Sequence, residues 1–184
     1  MNLFNIHLTE NTLKSQIKFS CQTKKVIPLQ LIAIGFFAST LIAAAQNDTI
    51  TFSWRVQENA IFFTRSFAIA ATNDFYIDWD GNSRDTMKGT GGWQVPTHTY
   101  NNYNNENDDF TVNIIGISTE CRFTDLFCDN LKIFFFNVKK STTIEYLTCR
   151  ANELTFLDVS GCVSLTYLDF QWNQVSSLNI DGCL

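Results

Sequence analysis

From Gln46 to about Ile117 the apolar residues fall in short alternating runs: ITFSWRV at 50–56, RSFAIAA at 65–71, DFYIDW at 74–79 and FTVNIIGI at 110–117. Between them stand DGNSRD, KGTGGWQVP and NNYNNENDD, rich in Asp, Gly and Asn. Alternation with period two buries one face of a strand, and Asp, Gly and Asn clusters reverse the chain, so this stretch predicts a small antiparallel β-sandwich. Phe75, Ile77 and Trp79 would share its inner face.

Beyond Phe123 the rhythm changes. TIEYLTCRANELTFLDVSGC (143–162) and SLTYLDFQWNQVSSLNIDGC (164–183) superpose with a shift of 21 residues, six identities in twenty. The identities are Tyr146/Tyr167, Leu147/Leu168, Asn152/Asn173, Leu157/Leu178, Gly161/Gly182 and Cys162/Cys183. A looser copy holds Phe123, Leu126, Cys128, Ile133, Phe136 and Val138 in the same phase, with Leu131 at the Asn position. That coil is expected to have a distorted turn. A fixed period of this length signals stacked coils, each adding one short parallel strand about 4.8 Å from the next, so that equivalent residues pile into columns. The Leu, Ile, Phe and Cys columns would fill the inside. Asn amides would cap buried backbone at one turn, and Asp158 to Gly161 and Asn179 to Gly182 would form the other. Since 21 is also three heptads, a coiled coil competes, but Gly161 and Gly182 fall on its seam, where Gly costs about 1 kcal/mol each.

Both copies fit L-x-x-L-x-L-x-x-N-x-L, through Ile144, Leu147, Cys149, Asn152 and Leu154 and again through Leu165, Leu168, Phe170, Asn173 and Val175. The chain here resembles the leucine-rich repeats of bacterial cell-surface proteins of the internalin-like kind. The resemblance covers about sixty residues and implies binding of another protein, or adhesion, through a concave strand face. With Leu126, Leu147 and Leu168 pointing in, the residues facing that surface would be Asp125, Phe127, Asp129, Tyr146, Thr148, Arg150, Tyr167, Asp169 and Gln171. They could form a contact patch around a tyrosine column, or an ordinary solvated face.

The earlier region has its own likeness. IDWDGN at 77–82, HTY at 98–100 and FTVNIIG at 110–116 resemble the motif order of PKD-type, immunoglobulin-like sandwich domains, although the usual Gly-Asp-Gly turn is here Asp80-Gly81-Asn82. This implies a spacer or adhesive module.

The first 45 residues read differently. Lys24 and Lys25 precede an uncharged run from Val26 to Ala45 that ends in three alanines. A basic segment, an apolar core and small residues at the exit make a secretory signal peptide with cleavage expected after Ala45, behind an extended polar leader. A retained membrane helix competes; Pro28, Gln30 and the alanine exit speak against it. Cleavage would remove four lysines and one glutamate, so that 13 basic and 18 acidic residues fall to 9 and 17, a net charge of −8. That balance argues against nucleic acid and anionic lipid as partners, since phosphate contacts require clustered Lys and Arg.

Candidate chemistry is sparse. Cys121, Cys128, Cys149, Cys162 and Cys183 show no C-x-x-C spacing, which speaks against zinc. Cys128 with Cys149 and Cys162 with Cys183 would stack one coil apart, and side chains in register on parallel strands favour buried thiols over disulfides. Asp78, Asp80, Asn82 and Asp85 could cage calcium, but the Gly and acidic positions of an EF-hand loop are missing and a polar turn accounts for them. His98 lies in VPTHTY without a nucleophile motif, and KGTGGW lacks the spacing and the Lys-Ser/Thr ending of a phosphate loop.

Length and composition, 184 residues with 45% hydrophobic, 17% charged, 17 Phe and 2 Pro, suit a folded, mainly β chain. The sequence therefore predicts a signal segment at 1–45, a PKD-like β-sandwich at 46–120 and a short leucine-rich repeat solenoid with a parallel sheet at 121–184. The expected protein is secreted or at the cell surface, non-catalytic and without a cofactor. Its partner would be another protein or a host or cell-surface ligand, with membrane contact only through the signal segment or a missing anchor. The alternative is an exported carbohydrate-binding or glycan-active protein using Trp79, Trp93 and Tyr100, and a hydrolase dependent on His98 comes third. The abrupt close of the motif at Leu184 suggests a piece of a longer repeat protein.

Overall fold

A computed structural model describes residues 16–18, 47–55, 62–101, 109–138 and 141–183. The expected signal segment, apart from residues 16–18, lies outside them. All regular elements among the described residues are strands, so the coiled-coil alternative for 143–183 does not hold. No helix among the described residues is long and apolar enough to cross a membrane.

In chain order the strands are β1 (Gln16–Lys18), β2 (Thr49–Arg55), β3 (Phe62–Ser66), β4 (Ala68–Ala71), β5 (Phe75–Asp78), β6 (Arg84–Met87), β7 (Trp93–Gln94) and β8 (Thr97–Asn101). There follow β9 (Asp109–Gly116), β10 (Phe123–Phe127), β11 (Ile133–Asn137), β12 (Tyr146–Thr148), β13 (Phe156–Asp158), β14 (Tyr167–Asp169) and β15 (Ser177–Asn179). One sheet runs β1-β14-β12-β10-β4-β7, a second runs β15-β13-β11-β2-β9-β5-β6, and β3 pairs with β8.

The alternating runs form strands for the expected reason. Ile50, Phe52 and Trp54 of β2 and Phe110, Val112 and Ile114 of β9 point into the core, while Thr51 and Ser53 bond across the outer face to Asn113 (2.9 Å) and Thr111 (2.8 Å). Phe75, Ile77 and Trp79 are fully buried on one face. Phe75 meets Phe123 of the other sheet edge-on at 5.5 Å.

The 21-residue period appears as parallel pairing: Tyr146 lies beside Tyr167 and Leu147 beside Leu168, and on the other side Leu157 lies beside Leu178. The expectation of one strand per coil is corrected. Each coil contributes two, because F-L-D-V at 156–159 and S-L-N-I at 177–180 also alternate, with Leu157 and Val159 buried. Successive 21-residue repeats therefore extend two sheets, each mixing antiparallel and parallel pairs.

Amide capping follows the expected plan. Asn152 Oδ1 accepts from the N–H groups of Leu131 (2.9 Å) and Ile133 (3.0 Å), and its Nδ2 donates to the carbonyls of Cys128 (2.8 Å) and Cys149 (3.1 Å). Asn173 repeats this one coil on, accepting from Leu154 N–H (3.0 Å) and donating to the carbonyls of Cys149 (2.7 Å) and Phe170 (2.9 Å). At the opposite turn Asp158 accepts from Ser160 N–H at 2.9 Å, and Gly161 and Gly182 take φ of 78° and 79°. The first coil carries the distortion: Lys132 has φ 61°, a left-handed residue that the equivalent positions in the next two coils lack.

The two regions share their sheets across residue 120. β10 pairs antiparallel with β4 and parallel with β12, while β11 pairs antiparallel with β2 and parallel with β13. One apolar core runs through both regions, from Trp54 and Trp79 to Leu168. Asp48, which accepts from Ser141 (3.0 Å) and Thr143 (3.2 Å), ties the start of β2 to the second coil.

Candidate functional site: an aromatic and acidic groove on one sheet face

The parallel register sorts outward residues of β10, β12 and β14 into columns. Asp125, Tyr146 and Tyr167 make one, and Phe127, Thr148 and Asp169 the next. Asp129, Arg150 and Gln171, just past the strand ends, make a third, joined by the Arg150 N–H to Asp129 Oδ1 bond (2.8 Å) and the Ala151 N–H to Gln171 carbonyl bond (2.8 Å). Seven of these residues, all except Asp125 and Gln171, line a groove of about 320 Å³.

Rings form one wall. Tyr146 and Tyr167 stack with centroids 5.9 Å apart and planes 28° apart, and Tyr146 remains 44% exposed. Trp93 of β7 sets its ring edge-on to Phe127 at 4.5 Å and stays 51% exposed. The aromatic surface thus crosses from the first region into the coils. Trp172 extends it beyond the sheet, with the Arg150 guanidinium 4.8 Å over its ring.

The floor is polar and covered. Asp169 is 1% exposed; its Oδ1 accepts from Gln171 N–H at 3.0 Å, and its Oδ2 lies 3.6 Å from Arg150 Nε. Thr148 is 5% exposed, and its hydroxyl has no hydrogen-bond partner. A buried polar group left unpaired costs about 1–3 kcal/mol, so this hydroxyl is an acceptor and donor that an incoming polar group would satisfy.

Other sequence candidates take structural parts. Trp79 and Tyr100 are core residues, joined by the bond from the Tyr100 hydroxyl to the Trp79 carbonyl at 3.0 Å, so of the three aromatics proposed for sugar binding only Trp93 is exposed. The calcium candidates serve their turn: Asp78 accepts from Gly81 N–H (2.8 Å), Asp80 from Asn82 and Ser83 N–H (both 2.9 Å), and Asp85 from Trp79 Nε1 (2.7 Å). Asn82 turns its amide toward the Asp80 carbonyl at 3.5 Å. No group of three or more acidic, His or Cys side chains is placed to hold a metal among the described residues. His98 stacks on Trp79 at 5.1 Å and lies 3.4 Å from the Ser83 hydroxyl, outside the roughly 2.6–3.2 Å range of a nucleophile and its base.

The stacked cysteines are free thiols. Cys128, Cys162 and Cys183 donate to the carbonyls of Thr148 (3.2 Å), Val138 (3.3 Å) and Val159 (3.1 Å). Burial pushes the Cys162 thiol up to about 12 and those of Cys128 and Cys149 further above the ordinary range, so none is a ready nucleophile.

Two contributors to the site escaped the motif. Trp93 was visible only as a residue of the first region, and Trp172 occupies a turn position where neighbouring coils carry Ala151 and Asn130. The chain matches no protein-family model, and comparison with curated proteins and with solved structures finds no match.

Proposed function

We propose that this is an exported, non-catalytic binding or adhesion module, in which a PKD-like sandwich carries coils of a leucine-rich repeat solenoid of the internalin-like kind. It engages another protein through the face built by β7, β10, β12 and β14. The observation that carries this reading is the aromatic strip of exposed Trp93, Phe127 and Tyr146 and half-buried Tyr167 beside a groove with an unpaired floor hydroxyl. Solvated faces have no use for such rings in contact, whereas interfaces favour Tyr and Trp with a few polar groups between them. The 21-residue parallel register and the Asn amide ladder support the repeat assignment, and the basic, apolar and small-residue order of 24–45 supports export.

The test is binding of the purified chain to an array of extracellular protein domains, compared with the Tyr146→Ala/Tyr167→Ala variant. At least a tenfold loss at unchanged melting temperature is expected. Equal binding by the variant overturns the reading. The exposed Trp93 favours a second reading, carbohydrate binding, and glycan-array signals abolished by Trp93→Ala would establish it instead.

A further inference from the structure

Resting on the reading of this face as a protein-binding surface, we propose that its groove accepts a lysine side chain of the partner, presented on an extended segment that lies along the Tyr146–Tyr167 wall. Three observations converge. The columns of β10, β12 and β14 hold the carboxylates of Asp125, Asp129 and Asp169 against the guanidinium of Arg150, and with Lys18 of β1 in register beside Tyr167 the acidic groups still outnumber the basic ones by three to two. That guanidinium lies beside Asp169 Oδ2 at 3.6 Å and over the Trp172 ring, and its Nε makes no hydrogen bond. The Thr148 hydroxyl, more than nine-tenths buried in the floor, lacks a partner.

A lysine answers each of these. Its four-carbon stem is apolar and packs on rings such as Tyr146, Tyr167 and Phe127, while the ammonium at its tip is compact and carries three donors. Asp169 and Thr148 in the floor and the exposed Asp129 at the rim supply three acceptors. The ring faces attract the same cation. An acidic segment would meet a surplus of like charge, and a neutral sugar would stack on the rings but leave that surplus unanswered. The acidic balance of the whole chain, −5 by sequence, steers a basic partner toward it as well.

The experiment titrates the full chain, labelled for amide NMR, with the blocked tripeptide Ala-Lys-Ala, its Gln and Glu counterparts, and cellotriose. Saturable shifts at Thr148, Arg150 and Tyr167 are expected for the lysine peptide, at least tenfold weaker binding for the Gln form, and none for the Glu form. Asp129→Asn should weaken the lysine peptide about tenfold and Glu120→Gln, which removes the same charge outside the groove, should not. Raising salt toward about 1 M, where screening reaches within about 3 Å, should also weaken it.

Equal binding of the Lys and Gln peptides, equal effects of Asp129→Asn and Glu120→Gln, or preference for cellotriose each overturns the proposal. A protein ligand whose binding is lost in Tyr146→Ala/Tyr167→Ala but unchanged in Asp129→Asn removes the lysine while leaving the binding face in place. Loss of neither removes both.

Discussion

Asn152 reaches back a whole coil to Cys128, donating to its carbonyl at 2.8 Å while accepting from two backbone N–H groups of the same coil. Asn173 stands in the same relation to Cys149 at 2.7 Å. The side chain substitutes for backbone partners that a tight turn cannot provide.

Asn152→Ala therefore strands several buried backbone groups and should lower stability by about 2–4 kcal/mol, read as a shift in the urea midpoint at unchanged slope. Asn152→Asp should be no milder, because a carboxylate cannot donate to the Cys128 and Cys149 carbonyls. A loss below about 0.5 kcal/mol would mean that water replaces the amide.

The turn after each β10, β12 and β14 segment passes through a left-handed residue at the same phase: Asn130 (φ 56°), Ala151 (φ 51°) and Trp172 (φ 57°). This conformation costs an alanine about 1–2 kcal/mol that glycine escapes. Ala151→Gly should accordingly stabilise the chain by about 0.5–1 kcal/mol, and Gly161→Ala, at φ 78°, should destabilise it by a similar or larger amount. Thermal denaturation of the two variants measures both, and opposite signs are the expected result.

The thiol columns make stability depend on alkaline pH. Burial raises Cys128, Cys149 and Cys162 above the ordinary value of 9.0, Cys162 to about 12. Unfolded thiols ionise from about pH 8.5 upward while the folded ones keep their protons, so the unfolded state binds fewer protons and gains. The stabilisation is complete below that pH and is lost as pH rises toward 12, by about 1.4 kcal/mol per pH unit for each thiol. Urea unfolding between about pH 8 and 11 should show this decline. Cys162→Ala should make it shallower by one thiol's share, and a slope unchanged in that variant would count against the assignment.

The alternation of β2, β5 and β9 and the pairing of Tyr146 with Tyr167 were legible in the chain, because both follow from strict periods of two and 21. The groove followed from the same register, since a repeat that places equals beside equals also says which residues share a face. Trp93 was not legible as part of it: only the β4–β7 and β4–β10 pairings bring that ring beside Phe127, and neither leaves a periodic mark. The left-handed column was hidden too, because Asn, Ala and Trp share no turn chemistry. Gly89 resisted reading for a similar reason. A Cβ there would stand 2.1 Å from the Asn73 backbone, a closeness set wholly by tertiary approach.

The antiparallel pairings of β10 with β4 and β11 with β2 give the coils a starting template. The first repeat lays both of its strands directly against β4 and β2, so its register is set by the sheets of the preceding region. As the chain emerges from its N-terminal side, each later turn can be laid down like a course of bricks on a level foundation, and damage to that foundation would bring down every course above it.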